Sequence, residues 1–448
     1  MLFAAQDLQN PPFTDGNGTI EAPFIIKTAE QLAFLAERVN AGDADFYDKH
    51  YELFNDVDLS GYGANWNDGA GWMPIGNDEN NPFVGVFNGA GHKITGLYIN
   101  VNYALYKGHT GLFGYIKNSV IKNMGVEGVS ITGVNDIGGL AGHAAESEIT
   151  NCYTTGEIAG LLDMVTNTVG SIAGTITGGV YNSYSSADIN GMGKRSGGIV
   201  ASGNVYNSYF IGNFYGGTEG GIAYGGNVKN SVALNKSVYN KRVVVEPAGD
   251  LSNNAAFMDM EQIPHAVNPL EQTGFGRDGE NITREQIYSD GTIGGRFTAE
   301  NGWTVENGKL PGLFGKTVDM PGHLLPPEVK NGWGKEDGIW YWFVNGEKVI
   351  NDWIHDGSNW YFMGETGAMA ESQWITWGGD WFYVGATGAM LEKSWLLYED
   401  AWFYLNEATG AMANSNQTVP AAYDYPPETE YPESDCIFNE SGVFQGYY

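Results

Sequence analysis

Two tryptophan series run in step through the last quarter of this 448-residue chain. One is Trp340, Trp360, Trp381, Trp402; the other is Trp333, Trp353, Trp374, Trp395; both advance by 20, 21 and 21 residues. Each member of the first series opens an aromatic phrase: Trp340-Tyr341-Trp342-Phe343, Trp360-Tyr361-Phe362, Trp381-Phe382-Tyr383 and Trp402-Phe403-Tyr404. Ten of the 13 Trp lie between 333 and 402. A fixed period with aromatics at constant phase means a solenoid of small units, each unable to bury its apolar face alone.

A second repeat family fills the middle of the chain. Its first phrase reads Gly111-Leu112-Phe113-Gly114, Gly139-Leu140-Ala141-Gly142, Ser171-Ile172-Ala173-Gly174, Gly198-Ile199-Val200-Ala201 and Gly221-Ile222-Ala223-Tyr224. Its second reads Asn118-Ser119-Val120, Asn151-Cys152-Tyr153, Asn182-Ser183-Tyr184, Asn207-Ser208-Tyr209 and Asn230-Ser231-Val232. Small residues allow close approach at a corner, and Asn tolerates the left-handed backbone of a stacked turn. Upstream, Thr28 and Gln31 form a capping-box pattern ahead of Leu32, Leu35, Ala36 and Val39, with Gly42 as the stop. One early amphipathic helix in a β-rich chain serves to cover an open strand edge. The expected fold class is all-β: a right-handed parallel β-helix with an N-terminal capping helix, then a β-hairpin solenoid.

Domain boundaries follow. Residues 1–317 form the β-helix domain, with the helix at about 28–41, repeats at about 111–234 and an irregular end at 240–317. Pro321, Pro326 and Pro327 mark a linker at 318–330. Hairpin repeats occupy 331–448, interrupted by a Pro/Glu-rich insertion at about 413–435 and closed by a degenerate unit carrying Ile437-Phe438.

Gly supplies 65 residues, about twice the usual fraction, which suits a turn-dense β architecture. The net charge of −31 argues against nucleic acid, which needs a basic face. No apolar run is long enough to insert into a membrane as a helix. No cofactor motif is present. Cys152 and Cys436 fall in different domains, and no Cys/His spacing points to a metal. His92 and His143 read as isolated surface or turn residues, and Asp56 and Asp58 as a solvated pair rather than a calcium site. Asp136, Glu146, Glu148, Asp163 and Asp188 do not recur at one phase, so no row of catalytic carboxylates is built. The expectation is a protein without enzymatic activity. The alternatives are a glycan-acting enzyme that uses the repeats for targeting, and a phage or bacteriocin-type fibre that recognises a cell wall.

The C-terminal 118 residues resemble the cell-wall-binding repeats of choline-binding and glucan-binding surface proteins. The paired Trp series carry the resemblance together with Thr366-Gly367-Ala368-Met369, Thr387-Gly388-Ala389-Met390 and Thr409-Gly410-Ala411-Met412. Residues 16–315 are similar to GLUG-repeat surface proteins through Thr28-Ala29-Glu30-Gln31-Leu32, Asn55-Asp56-Val57-Asp58-Leu59, Pro74-Ile75-Gly76 and the Gly phrases. That likeness implies an exported, adhesin-like extracellular protein at the cell surface or wall.

The choline-binding resemblance implies ligand cages between consecutive hairpins. The sets are Trp353, Trp360 and Tyr383; Trp374, Trp381 and Tyr404; Trp333, Trp340 and Phe362; and, if the last unit stacks, Trp395, Trp402 and Phe438. Met369 and Met390 are the expected cage floors. A quaternary ammonium donates no hydrogen bond, so aromatic faces are what can recognise it. Residues 331–448 hold 18 Asp and Glu against 3 Lys, a net of −15 that favours a cation. The bland reading is that the rings only pack the hairpins. Expected partners are a cell-wall polymer bearing choline or made of glucan, with host glycan or protein as a further class.

Overall fold

The computed structural model describes residues 13, 15–101, 108–161, 168–191, 195–263, 273–326, 330–414 and 436–447. The chain divides into two compact units, Met1–Leu325 and Pro326–Tyr448. Most of the Pro/Glu-rich insertion, 415–435, lies outside the described residues.

The first unit is a parallel β-solenoid. Its ladder starts with Phe24–Ile26 on His50–Leu53, then Val86–Asn88, then the long strand Val120–Gly133. Stacked copies place like on like. Phe113, Ala141, Ala173, Val200, Ala223 and Val244 form one in-register column. Ile121, Ile149, Val180, Val205, Val228 and Leu251 form another. The inward members are buried and make one continuous core. The expected helix spans Ala29–Asn40; Gln31 N–H donates to the Thr28 hydroxyl at 3.3 Å, and Leu32, Leu35, Ala36 and Val39 are buried.

The Asn phrase forms the stacked turn its chemistry calls for. Asn151, Asn182, Asn207, Asn230 and Asn253 all have φ between 46° and 52°. Their side chains link successive rungs: Asn151 donates to Asn123 at 3.1 Å, Asn207 to Asn182 at 3.2 Å and Asn230 to Asn207 at 2.8 Å. Inside each turn, Ser183, Ser208 and Ser231 accept backbone N–H groups from the preceding rung at 3.0–3.3 Å. One member of the phrase departs from the column. Cys152 pairs with Met124, so the first turn of this column is Asn123-Met124, and Asn118-Ser119 belongs to a different corner, where Ser119 N–H meets the Ser147 hydroxyl.

The ladder also outlasts its phrases. Val244–Ser252, Ala255–Phe257 and Glu280–Ile282 extend it well past residue 234. A column of stacked tyrosines, Tyr153, Tyr184 and Tyr209, stands 5.0 and 5.2 Å ring to ring with planes within 6°. The irregular segment after the short helix Arg284–Tyr288 folds over it: Phe314 meets Tyr153, Trp303 meets Tyr184, and the Tyr209 hydroxyl donates to the Pro311 carbonyl. Part of the expected linker packs here too, since Leu324 is fully buried and His323 Nε2 lies 2.7 Å from the Leu234 carbonyl.

Glu219 is fully buried in this unit, with the Tyr239 N–H donating to one carboxylate oxygen at 3.3 Å. Burial pushes its carboxyl from 4.5 up to about 7. A folded-state value above the unfolded one means the contribution is fully present below about pH 4.5 and is lost as pH rises through about 7. Glu219→Gln is therefore expected to raise stability above neutral pH by roughly 2–3 kcal/mol and to flatten the acid-side pH dependence. Urea midpoints of both proteins across that window check this; parallel curves would refute it.

His143 is not isolated. Its Nδ1 lies 2.7 Å from Asp136 Oδ2, and His109 Nδ1 lies 3.2 Å from the same oxygen. Parallel pairing of adjacent rungs, Thr110 with Ile137 and Tyr115 with His143, brings these distant residues together. Burial alone would raise Asp136, but hydrogen bonds from His109, His143 and Thr168 outweigh it and hold the carboxyl well below the usual range. His92 likewise has a neighbour, Asp56, at 3.4 Å. Asp58 turns to the Ser60 N–H and hydroxyl, both at 2.9 Å.

A candidate cation-binding aromatic array

Among the described residues, the second unit holds five antiparallel hairpins. They are Gly332–Glu336 with Ile339–Val344, Asp352–His355 with Trp360–Met363, and Gln373–Trp377 with Asp380–Val384, followed by Ser394–Tyr398 with Ala401–Leu405 and Cys436–Phe438 with Phe444–Tyr447. Cross-strand register sets the aromatic pattern. Trp353 faces Phe362, Trp374 faces Tyr383 and Trp395 faces Tyr404. Two residues further along, Lys335 faces Trp340, His355 faces Trp360, Thr376 faces Trp381 and Leu397 faces Trp402.

Strand side chains alternate between faces, so both Trp of a hairpin share one face and the middle aromatic of each phrase points to the other. That other face meets the preceding hairpin. Trp333 lies 4.8 Å from Tyr361, Trp353 lies 5.5 Å from Phe382, and Trp374 lies 5.2 Å from Phe403. The inter-hairpin partner is thus one residue earlier than the expected Phe362, Tyr383 and Tyr404. Those three pack on the Trp of their own hairpins, where Tyr383 and Tyr404 are buried, and Phe362 and Tyr383 reach the following hairpin through Trp377 and Tyr398. In the fourth set Trp395 stacks on Phe438 at 5.9 Å and 21°, next to Phe444. Trp395, Tyr404, Ala413, Cys436 and Phe438 form a small core there, and Trp402 is half-buried.

The two Trp series play different parts. Trp333, Trp353, Trp374 and Trp395 are half-buried between hairpins. Trp340, Trp360 and Trp381 are 39%, 41% and 47% exposed. Trp374 and Trp381 stand 6.4 Å apart at 83°, and Trp333 and Trp340 stand 6.1 Å apart at 79°. Two nearly perpendicular indoles with a third ring from the next hairpin make a three-sided aromatic corner.

The Thr-Gly-Ala-Met loops join neighbouring units. Met369 N–H donates to the Trp340 carbonyl, Met390 N–H to that of Trp360 and Met412 N–H to that of Trp381, at 2.7–2.9 Å. The Met side chains then run against the glycine of the next loop. A Cβ on Gly388, which has φ of 80°, would lie 2.5 Å from Met369 Cε. Met390 also packs on the cluster of Ala370, Ile375 and Val384.

The first hairpin shows these rings beside cations. Lys335 Nζ lies 5.1 Å from the Trp340 ring centre, Lys330 Nζ 4.8 Å from Phe343 and Lys348 Nζ 3.4 Å from Tyr341. Among the described residues, no lysine or arginine lies over Trp360 or Trp381. Asp356 sits beside the Trp333–Tyr361 pair; N–H groups of Asn359 and Ser358, with side-chain donation from Trp333 and Tyr361, hold it below the usual carboxylate range.

Residues 351–369 and 372–390 match the family described as "Putative cell wall binding repeat". The two matched segments are the second and third hairpins with their Thr-Gly-Ala-Met loops. It is also 31% identical over 163 residues to halomucin from Haloquadratum walsbyi, covering 36% of this chain and 2% of that protein. A "Putative Gly-rich membrane protein" from Evansella cellulosilytica is 31% identical over 214 residues, 45% of this chain and 22% of that protein. The matches span less than a quarter of either curated relative. Among solved structures, choline binding protein F from Streptococcus pneumoniae is similar at 25% identity over 26% of this chain and 38% of that chain, with a TM-score of 0.20. Among the described residues, no helix is long and apolar enough to cross a membrane.

Proposed function

We propose that this chain is an exported, non-enzymatic bacterial surface protein that holds cell-wall polymer through its hairpin array. The recognised group is a quaternary ammonium of the choline type. The observation that carries this is the corner formed by Trp374, Trp381 and Phe403, with Trp381 exposed and Thr376, a small side chain, across from it. The second hairpin supports the same reading in part: Trp353 meets Phe382 of the next hairpin at 5.5 Å, and Trp360, on the same face, is 41% exposed beside the His355 ring. A net charge of −15 over 331–448 favours a cation at both. Several weak sites on one array bind a polymer through avidity. The β-solenoid then projects as a stalk or adhesive surface, and the helix Ala29–Asn40 covers its open end.

Incubating the full chain with Gram-positive walls whose polymer carries choline tests the proposal. Retention that free choline elutes is the expected result. Elution by dextran but not by choline overturns the ammonium reading in favour of glucan. No retention overturns wall binding altogether, and release of reducing sugar from the walls overturns the non-enzymatic reading.

A further inference from the structure

On the outside of the β-solenoid, two imidazoles and a carboxylate converge. His109, Asp136 and His143 come from adjacent rungs, and one donor atom of each lies within 4.8 Å of the others. Their approach depends on a glycine. A Cβ at Gly142 would fall 2.7 Å from both the Asp136 carbonyl and His109 Cβ. Position 142 therefore has to stay bare for the three side chains to meet.

The carboxylate is held for this purpose. Its Oδ1 accepts the hydroxyls of Thr168, at 2.5 Å, and of Thr175, at 3.1 Å. Oδ2 is thereby turned to both histidine Nδ1 atoms, at 2.7 and 3.2 Å. His143 is fixed in turn by stacking on Tyr115, 4.7 Å away and within 9° of parallel. Ligand atoms oriented by hydroxyls and by stacking are what a metal site needs from its surroundings. The three side chains are 16–24% exposed, so the cluster is recessed but open to solvent.

We propose that His109, Asp136 and His143 bind one divalent transition-metal ion of the zinc type. Two imidazole nitrogens and one carboxylate oxygen form a borderline donor set that prefers such ions to magnesium or calcium, which favour all-oxygen ligation. Three protein ligands leave at least one coordination position for water or an exogenous donor. The ion would tie neighbouring rungs together at a corner of the solenoid. This site is independent of the aromatic array.

The test uses the full chain stripped with chelator and titrated with Zn(II) and Co(II). One equivalent of Zn(II) by calorimetry is expected, and Co(II) should show the visible bands of a low-coordinate ion. His143→Gln and Asp136→Asn should each weaken binding by more than about tenfold with the far-UV spectrum unchanged. Thr168→Val should weaken it by about tenfold by removing the shorter of the two hydroxyl contacts that hold Oδ1. His92→Ala, beside Asp56, is the control and should bind normally. A second readout needs no variant: Zn(II) should protect His109 and His143 of the wild-type chain, but not His92, from diethyl pyrocarbonate. Failure of the wild type to bind Zn(II), undiminished binding in His143→Gln, or protection elsewhere overturns the proposal, leaving Asp136 as a hydrogen-bonded bridge between two imidazoles.

Discussion

Asp278→Ala is expected to destabilise the first unit by about 3–5 kcal/mol, the scale for breaking a buried ion pair from one side. Asp278 is fully buried, and Lys241 and Arg242 beside it are 4% and 1% exposed. The carboxylate accepts from Lys241 Nζ at 2.9 Å and from the Arg242 N–H at 3.1 Å. The Arg242 guanidinium is spent on the same turn, donating to the Asp278 and Gly279 carbonyls and to Asn281 Oδ1. Burial drives the Arg242 guanidinium below its usual value, and the Asp278 charge opposes that shift. Removing the carboxylate therefore leaves cationic groups dry without their nearby counter-charge. Urea unfolding measures the loss. Lys241→Met combined with Asp278→Leu should recover most of it, because it removes both ends of that pair. Asp319→Ala is the contrast: the ion pair to Lys309 is just as short, but Asp319 is 91% exposed, and no measurable change is expected. A wild-type-like Asp278→Ala would show that the buried charges keep their stability without this carboxylate.

What the sequence made legible was whatever repeats in phase. The Gly phrases and the Asn-Ser turns predicted a parallel stack because an in-register ladder places identical chemistry on identical chemistry, and the Asn side chains bond along it rung by rung. The exception is instructive. Asn118-Ser119 has the same letters as the later turns, yet it sits at another corner, because the true counterpart, Asn123-Met124, lacks the serine. Letters report the turn only when both the left-handed residue and the inward polar group are kept. The end of the ladder, expected at 240–317 as an irregular close, is regular in pairing for a related reason. Pairing beyond residue 234 needs only an inward apolar residue, such as Val244, Ala255 or Ile282, and no phrase.

Both functional clusters show the same limit. Within one hairpin, the Trp pairs follow from sequence spacing. Which ring arrives from the next hairpin depends on a one-residue choice of face, and Phe382 arrives where Tyr383 was expected. His109, Asp136 and His143 are 27 and 7 positions apart and carry no motif. A signal did exist. His109 precedes the first Gly phrase by two positions, Asp136 precedes the second by three, and His143 follows that second phrase directly. Overlaying residues on the repeat, rather than reading them along the chain, would have placed all three at one corner.

Changing Trp340, Trp360 and Trp381 together to Ala is expected to lower retention on choline-bearing walls by about a hundredfold or more while leaving the fold intact. These three are the exposed indoles of the phrase series, at 39%, 41% and 47%, while Trp377, at 42%, stands outside that series against Phe362. Truncating them removes less buried area than truncating Trp374, which packs against Tyr383, Tyr398 and Phe403. Each aromatic face contributes roughly 0.5–2 kcal/mol to a bound ammonium, about 2- to 30-fold per site. Losses at separate sites multiply when one polymer engages several of them. The single variants rank the sites. Trp340→Ala should matter least, because Lys335 of the same hairpin already lies over that ring. Trp381→Ala should matter most, because Thr376 faces it and, among the described residues, no lysine or arginine lies over it. Wall retention is read by sedimentation and folding by the near-UV spectrum of the remaining tryptophans. A triple variant that sediments with walls as the wild type does would reduce these rings to packing and end the case for the array as a ligand site.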